Sequence, residues 1–217
     1  MKSPLLSFDA FWYEDADKRA QTDQEINQYG GTIISSYSPT RQLEGHFDAN
    51  IIHIITWADP GQKLAFQKLI STLGPVVKHT SLALNNLPQL NSPQKDEEQS
   101  TAIYMMNVLW YKGNEGVEKY AQYSQAVLPF LKKYGACAVE GYKPVEVPGD
   151  LNGDLNGDLN GDFNGGFNPQ TIFFVRWPSR DVFIQFISDP AFQKISPLRK
   201  DALEKALLTE TIKMPKP

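Results

Sequence analysis

The feature that most constrains the fold of this chain is an internal repeat. The segments QYGGTIISSYSPT and KYGACAVEGYKPV both contain Tyr-Gly, six further residues and then Tyr-x-Pro. The aligned residues, which keep a constant offset of 105 positions, are Tyr29 and Tyr134, Gly30 and Gly135, Tyr37 and Tyr142, and Pro39 and Pro144. The four tryptophans also form two aligned pairs, Trp12 with Trp110 and Trp57 with Trp177. We therefore expect two similar structural units within the 217 residues.

Each half is predicted to run strand, helix, strand, strand, helix, with a fourth strand or a terminal helix after it. In the second half, Tyr120, Tyr123, Val127 and Leu131 keep helical spacing, and TIFFVRW has the composition of a strand. A βαββαβ order is that of a ferredoxin-like unit. The stretch NLPQLNSPQKDEEQS has almost nothing to bury and is typical of a linker. We predict an α+β protein with one unit at 1–88, a linker at 89–100 and a second unit at 101–217.

The two halves differ in the connection between their second and third strands. From Pro39 to Trp57 there are 18 positions, whereas from Pro144 to Trp177 there are 33, and the run GDLNGDLNGDLNGDFNGGFN at 149–168 supplies the excess. Asn-Gly is a strong hairpin-turn signal, which favours a lengthened, flexible turn. Asp150, Asn152 and Asp154 also have the spacing of calcium ligands, but the glycine and glutamate positions of an EF-hand loop are not matched.

Composition excludes several classes of protein. A net charge of -4 would repel a polyanion, so nucleic acid is not an expected partner. The N-terminal residues include no long apolar run, so we expect neither a signal peptide nor a membrane span. Cys137 is the single cysteine and cannot form an internal disulfide, which favours a reducing, cytoplasmic setting.

The stretch from Ile103 to Arg199 contains three characteristic segments, EKYAQYSQAVLPFLKKYG, FFVRWPSRDVFIQFISDPAFQKI and SPLRK. Through these segments it resembles a small bacterial family, the domain-of-unknown-function 1330 family of the dimeric α+β barrel superfamily. The family's third strand ends in an acidic residue, an aromatic residue, proline and serine, and here Arg176 occupies the acidic position. The resemblance implies that two ferredoxin-like units pair face to face. We expect both units within this chain, as an intramolecular pseudo-dimer that is a monomer or a homodimer.

Candidate site residues follow from the strand pattern. In TIFFVRW, Arg176 shares a face with Phe174 and Ile172. If this face is turned toward the space between the two sheets, the aligned halves place two polar sets there. They are Asn107, Glu140, Tyr142 and Arg176 from the second half, and Asp9, Ser35, Tyr37 and Thr56 from the first.

A carboxylate near an arginine in an apolar cavity can move a proton and stabilise an anion. We therefore predict catalytic roles for Glu140, Arg176 and Asp9. Ligand-binding roles are predicted for Asn107, Tyr142, Phe174, Tyr37 and Thr56. In the alternative, Glu140 and Arg176 form a structural ion pair and the aromatic residues fill a core.

No metal or cofactor site is predicted. His46, His53 and His79 have no metal-ligand spacing, and His53 aligns with Phe173, which favours a helix-facing core position. No GxGxxG, P-loop, CxxC or HExxH motif is present. Cys137, next to alanines in a predicted strand, is interpreted as a small hydrophobic residue.

Two functions remain open from the sequence. One is a cofactor-independent enzyme of the isomerase, cyclase or monooxygenase type found in related α+β barrels, acting on a small aromatic or polyketide-like compound. The other is a non-catalytic ligand-binding or protein-interaction module. Fold analogy alone does not decide between them.

The interpretation of the GDLN run as a flexible turn is testable by deletion. Removing Leu151 to Asp162 leaves a connection close in length to that of the first half, and loop-closure entropy changes slowly with length. We expect the midpoint of thermal unfolding to change little, with or without added calcium. A large loss of stability, or a midpoint raised by calcium in the intact chain only, would contradict the interpretation.

Overall fold

The computed structural model describes residues 4–14, 18–70, 72, 76–87, 101–145 and 167–215. The first half contains, in order, β1 (Leu5–Tyr13), α1 (Lys18–Gln28), β2 (Gly31–Glu44), β3 (Ile51–Trp57), α2 (Pro60–Ile70) and β4 (Val76–Asn86). The second half contains β5 (Ile103–Tyr111), α3 (Gly113–Lys133), β6 (Cys137–Pro144), β7 (Thr171–Trp177), α4 (Arg180–Ser188), α5 (Pro190–Ala202) and β8 (Leu203–Lys213). The last element, left open by the sequence, is a strand preceded by an extra helix.

The strands form one closed, antiparallel barrel in the order β1-β3-β2-β8-β5-β7-β6-β4. Within it, each half keeps the ferredoxin-like order, β4-β1-β3-β2 in the first and β8-β5-β7-β6 in the second. The halves meet along two seams, β2 with β8 and β4 with β6. The predicted fold is confirmed: two tandem ferredoxin-like units form an intramolecular dimeric α+β barrel.

Helix boundaries follow local signals in the second half. Gly135, at φ 67, comes just after α3, in a conformation that suits glycine. The Ser179 side chain accepts a hydrogen bond from the Val182 amide and caps α4. Asp189 caps α5 in the same way, directly before Pro190. Among the described helices, none is long and apolar enough to cross a membrane.

A β-bulge decides which side chains of β2 face the barrel interior. The pairing of β2 with β3 shifts between Ile33 and Ser35, so that Ile34 is the extra residue. Ile33 packs on the helix side, whereas Tyr37 belongs to the interior core. Two odd-numbered residues of a regular strand would lie on the same face. The bulge reverses the alternation of side chains, so Ser35 faces inward with Tyr37.

The same shift occurs at the aligned place in β6, between Ala138 and Glu140. Glu140 and Tyr142 consequently face inward together. Each half thus presents one small or acidic polar residue and one tyrosine to the interior, at aligned positions of its second strand.

Aromatic residues fill the end of the barrel interior at which β1 and β5 finish. Phe47 and Phe167 stack with ring centroids 5.6 Å apart, and each lies ten positions before the tryptophan that ends the third strand of its half. Trp12 Nε1 donates to Asp48 Oδ1, and Trp110 Nε1 donates to Asn168 Oδ1 at the aligned positions. We call this end the aromatic plug.

Several sequence predictions fall outside the described residues. The linker at 89–100 and most of the GDLN run are among them, so the domain boundaries and the calcium question stay as predicted. The end of the run is described: Phe167 is buried in the interior core. That position was assigned to a flexible turn, and burial against Phe8, Phe47 and Trp110 corrects the assignment for this residue.

Phe167 should therefore contribute to stability although it ends a low-complexity run. Changing Phe167 to Ala should lower the free energy of unfolding by about 3 kcal/mol, because a buried ring is lost and a cavity is left. Urea denaturation measures this. Leu128→Ala is the control, since Leu128 is 60% exposed and its loss should cost less than about 0.5 kcal/mol. Equal, small losses for both variants would contradict the burial of Phe167.

Candidate functional site

A group of polar side chains lies inside the barrel at the end away from the aromatic plug. Tyr104, near the start of β5, pairs with Arg176 on β7 and with Thr211 on β8, and Tyr37 pairs with Lys213 at the end of β8. We call this group the polar mouth. Its members are Ser35, Tyr37, Tyr104, Glu140, Tyr142, Arg176 and Lys213.

Glu140 is the centre of the polar mouth. Its carboxylate accepts hydrogen bonds from Ser35 Oγ at 2.8 Å, from the Tyr37 hydroxyl at 2.8 Å and from the Tyr142 hydroxyl at 2.9 Å. Its side chain remains 16% exposed. Two of the three donors come from the first half, so this carboxylate links the two units through their interior faces.

Both tyrosines remain neutral donors in this arrangement. Burial is the main cause that raises the pKa of Tyr37 well above its usual value, and the charge of Glu140 adds to it. Burial and then Glu140 raise the pKa of Tyr142 in the same way. A phenol beside a carboxylate loses its proton only with difficulty, so these groups hold the Glu140 oxygens in place.

The cations of the polar mouth are Lys213 and Arg176. Lys213 Nζ lies 3.9 Å from Glu140 Oε1 and 5.7 Å from the centre of the Tyr104 ring. Arg176, near Tyr104 on the neighbouring strand, lies on the same interior face as Glu140, and whether the two act together stays a prediction. The bulge at β6 sets Glu140 opposite Phe174, and Arg176 is opposite Cys137.

The other predicted binding residues divide between the two faces of the sheet. Phe174 is fully buried in the interior and stacks on Tyr37 with centroids 4.0 Å apart. Thr56, which aligns with Arg176, is half-buried, and its hydroxyl donates to the Thr32 carbonyl. Asp9 and Asn107 do not lie in the polar mouth. They are on the outer, helix-covered face, because paired residues of neighbouring strands point to the same side of the sheet. Asn107 pairs with Phe173 and Asp9 pairs with His53, whereas the interior residues are the next ones along, Phe174 and Ile54.

Asp9 instead belongs to a buried polar layer between the first sheet and its helices. It is 0% exposed and lies 2.9 Å from His79 Nε2, and it accepts a hydrogen bond from Ser7. Ser7 Oγ also accepts from Trp57 Nε1 at 2.8 Å. Lys63 of α2, fully buried, is close enough to act on Asp9 by its charge.

The ionisation of this layer is shaped by burial and by pairing. Burial alone would raise the pKa of Asp9, but the hydrogen bond and charge of His79, with Lys63 and Ser7, outweigh it and hold that pKa below its usual value. Burial lowers the pKa of Lys63, and the charge of Asp9 opposes that shift only in part.

A second histidine completes the layer. His53 is fully buried on the helix-facing side, as its alignment with Phe173 predicts. Its Nδ1 lies 2.8 Å from Ser36 Oγ, and its Nε2 lies 3.0 Å from Asp23 Oδ1 of α1. Ser36 is itself buried, so this Ser-His-Asp set does not present a hydroxyl to solvent.

The interior below the polar mouth is filled with side chains. It forms one hydrophobic cluster that includes Phe8, Ile52, Met106, Val108 and Leu207, all of them buried. A shallow depression, lined by Ala20, Asp23, Gln24, Asn27 and Gln28, lies on α1, on the other side of the sheet from the polar mouth. Within the described ranges, no three histidine, cysteine or acidic side chains form a group that could hold a metal ion.

The role of Asp9 in this layer predicts a pH-dependent contribution to stability. Asp9→Asn should lower the free energy of unfolding by about 3 kcal/mol at pH 7, because it leaves Lys63 and His79 without their carboxylate. The folded pKa of Asp9 lies below the unfolded value of about 3.9, so this contribution is present above that pH and is lost as pH falls through the folded pKa.

The difference between wild type and Asp9→Asn should therefore shrink below about pH 4. Urea denaturation at several pH values measures it, with Asp201→Asn, an exposed position, as the control. A difference that stays constant as pH falls would show that the Asp9 charge does not stabilise the fold.

Comparison with known proteins supports the fold. No protein-family model matches the chain. No curated protein sequence matches it either. A candidate monooxygenase from Lactobacillus acidophilus NCFM is similar with a TM-score of 0.51 at 8% identity, covering 98% of this chain and 94% of that one. A candidate monooxygenase from Fusobacterium nucleatum is similar with a TM-score of 0.50 at 13% identity, covering 98% of this chain and 93% of that one.

A chlorite dismutase variant from Candidatus Nitrospira defluvii gives a TM-score of 0.54 at 13% identity, covering 98% of this chain and 93% of that one. Identities this low establish a shared architecture over nearly the whole chain and no shared chemistry. The resemblance of the second half to the domain-of-unknown-function 1330 family stays a prediction.

Proposed function

We propose that this protein binds a small aromatic or polyketide-like acid at the polar mouth and acts on it as a cofactor-independent enzyme of the isomerase, cyclase or monooxygenase type. The observation that carries the proposal is Glu140, a partly exposed carboxylate held by three hydroxyl groups at the end of an otherwise apolar barrel. A partly buried carboxylate with cations nearby is a frequent arrangement at sites of proton transfer.

The groups of the polar mouth fit the removal of an acidic proton. A Glu140 oxygen would take a proton from a carbon next to a carbonyl group, and the electron pair would move to the carbonyl oxygen to give an enolate. Arg176 and Lys213 would stabilise that negative charge. Return of the proton to another carbon completes an isomerisation without any outside oxidant or reductant.

Two structural neighbours carry the description of candidate monooxygenase, which is compatible with the same first step. Deprotonation of a phenol or enol by Glu140 gives an electron-rich ring or double bond that can transfer electrons to an oxygen molecule. One oxygen atom would then form a bond to a substrate carbon that loses two hydrogens, and the other would leave as water. Asp9 and Asn107 have no part in the proposed site, because they lie on the other face of the sheet. Cytoplasmic location, and a pseudo-dimer that is a monomer or a homodimer, belong to the same proposal.

A non-catalytic binding or interaction module is the second candidate function. It is favoured by the filled interior, since the hydrophobic cluster below the polar mouth includes Tyr37, Tyr142 and Phe174 themselves. In that case a ligand would rest on the mouth without entering the barrel. Conversion of a bound compound to a product would distinguish the enzyme from the non-catalytic module.

Substitutions at the polar mouth test the proposal. The purified protein is assayed against a panel of aromatic and polyketide-like acids, by calorimetry for binding and by chromatography for conversion. Glu140→Gln keeps the size of the side chain but removes its basicity, so turnover should fall by about 10² to 10⁴ while binding is retained. Arg176→Met should weaken binding and turnover together.

Glu204→Gln and Arg41→Met are matched controls at exposed positions and should behave as wild type. Binding without conversion in the wild type would favour the non-catalytic module. If Glu140→Gln and Arg176→Met both keep every signal of the wild type, the site lies elsewhere in the molecule.

A further inference from the structure

The polar mouth is built from aligned positions of the two halves, yet its charges come from one half only. Glu140 aligns with Ser35, and Arg176 aligns with Thr56, each one residue before the tryptophan of its strand. Lys213 pairs with Tyr37 across one seam, and Asn86 pairs with Tyr142 across the other. Because Tyr37 and Tyr142 are aligned, Lys213 and Asn86 occupy corresponding positions. The three charged residues of the mouth, Glu140, Arg176 and Lys213, therefore belong to the second half, opposite neutral residues of the first.

The aromatic part of the mouth has the same imbalance. Tyr104 and Leu6 lie six positions before the aligned tryptophans Trp110 and Trp12. Tyr104 contacts Tyr37 edge to face at 5.6 Å, whereas the corresponding place in the first half offers an aliphatic side chain. A site with this imbalance distinguishes the two ends of a ligand, and it offers two cations against one carboxylate.

We infer that Lys213 is the anion-binding residue of the polar mouth, and that the ligand is a planar aromatic or enolic monoanion bound in a single orientation. This assignment rests on the proposed function, because it concerns the same site. To the proposed function it adds a role for Lys213, a residue that the sequence did not indicate, and a single negative charge on the ligand.

The contacts of Lys213 explain how it can serve an incoming anion. Its distance to Glu140 is 3.9 Å, against 2.8 to 2.9 Å for the three hydroxyl bonds, so Glu140 keeps its main partners if Lys213 moves. The Lys213 side chain is 28% exposed and ends the strand that borders the mouth. A ligand carboxylate can therefore reach the ammonium group from solvent.

The position of Lys213 over Tyr104 couples charge recognition to ring recognition. The ammonium group lies 5.7 Å from the ring centre of Tyr104 and so covers that ring. When Lys213 turns toward a ligand anion, the ring becomes available to a flat ligand. Aromatic rings in contact gain energy beyond simple burial, so a planar anion should be preferred over an aliphatic one.

Salicylate and its neutral analogue salicylamide are the probes that test the assignment, with isothermal calorimetry for affinity and backbone amide NMR shifts at 103–106 and 140–143 for location. Wild type should bind salicylate at the polar mouth and salicylamide at least tenfold more weakly, because a charge-assisted contact is lost. Lys213→Met should lower the salicylate affinity by about tenfold and remove the preference for the anion. Lys213→Arg should restore both.

Lys205→Met is the matched control, since Lys205 lies 5.5 Å over the Trp110 ring at the aromatic plug and should not affect binding. Thermal unfolding of each variant verifies that it is folded. If salicylate binds at the mouth equally well to wild type and to Lys213→Met, the role of Lys213 is overturned and the proposed site stands. If neither probe binds wild type at the mouth, the proposed function fails, and the assignment of Lys213 fails with it.

Discussion

The rest of the structure depends on the closure of the barrel along its two seams. A ferredoxin-like sheet alone ends in two edge strands with unpaired backbone groups and has one apolar face without a cover. Here β2 pairs with β8 and β4 pairs with β6, so each half supplies both the missing edge partners and the missing cover for the other. The interior hydrophobic cluster accordingly draws residues from all eight strands and their loops, with Phe8 and Phe174 buried in the same core.

Closure also determines where chemistry can occur. Aromatic rings pack one end of the barrel interior. Near the other end, the second strand of each half turns a polar residue inward, and Ser35 and Glu140 meet there. The outer face of the first sheet carries a separate polar layer around Asp9, His79, His53 and Lys63, which is sealed under α1 and α2. The polar layer lies on the outer face of the barrel and the polar mouth on its inner face, and Glu140 and Lys213 of the mouth are partly exposed to solvent.

The sequence predicted the fold because its repeat landmarks are local: a glycine after each first helix and a tryptophan at the end of each third strand are visible without coordinates. It also placed Glu140, Tyr142, Tyr37, Phe174 and Arg176 on the interior face. Asp9 and Asn107 were placed wrongly because a strand register that differs by one residue reverses every side chain, and register is set by pairing partners far away in the chain. The Asp9–His79 and Glu140–Lys213 contacts join positions 70 and 73 residues apart, and no spacing rule links them.

One consequence follows from the contact between Ser35 and Glu140. Aligned residues touch each other only near the pseudo-two-fold axis, and Ser35 Oγ is 2.8 Å from Glu140. A barrel made of two identical copies of the second half would set two glutamates face to face at this point, and like charges so close must share a proton. Joining two different halves in one chain removes that conflict. It leaves Glu140 as the one carboxylate of the polar mouth, so a ligand that engages it can bind with a stoichiometry of one per chain.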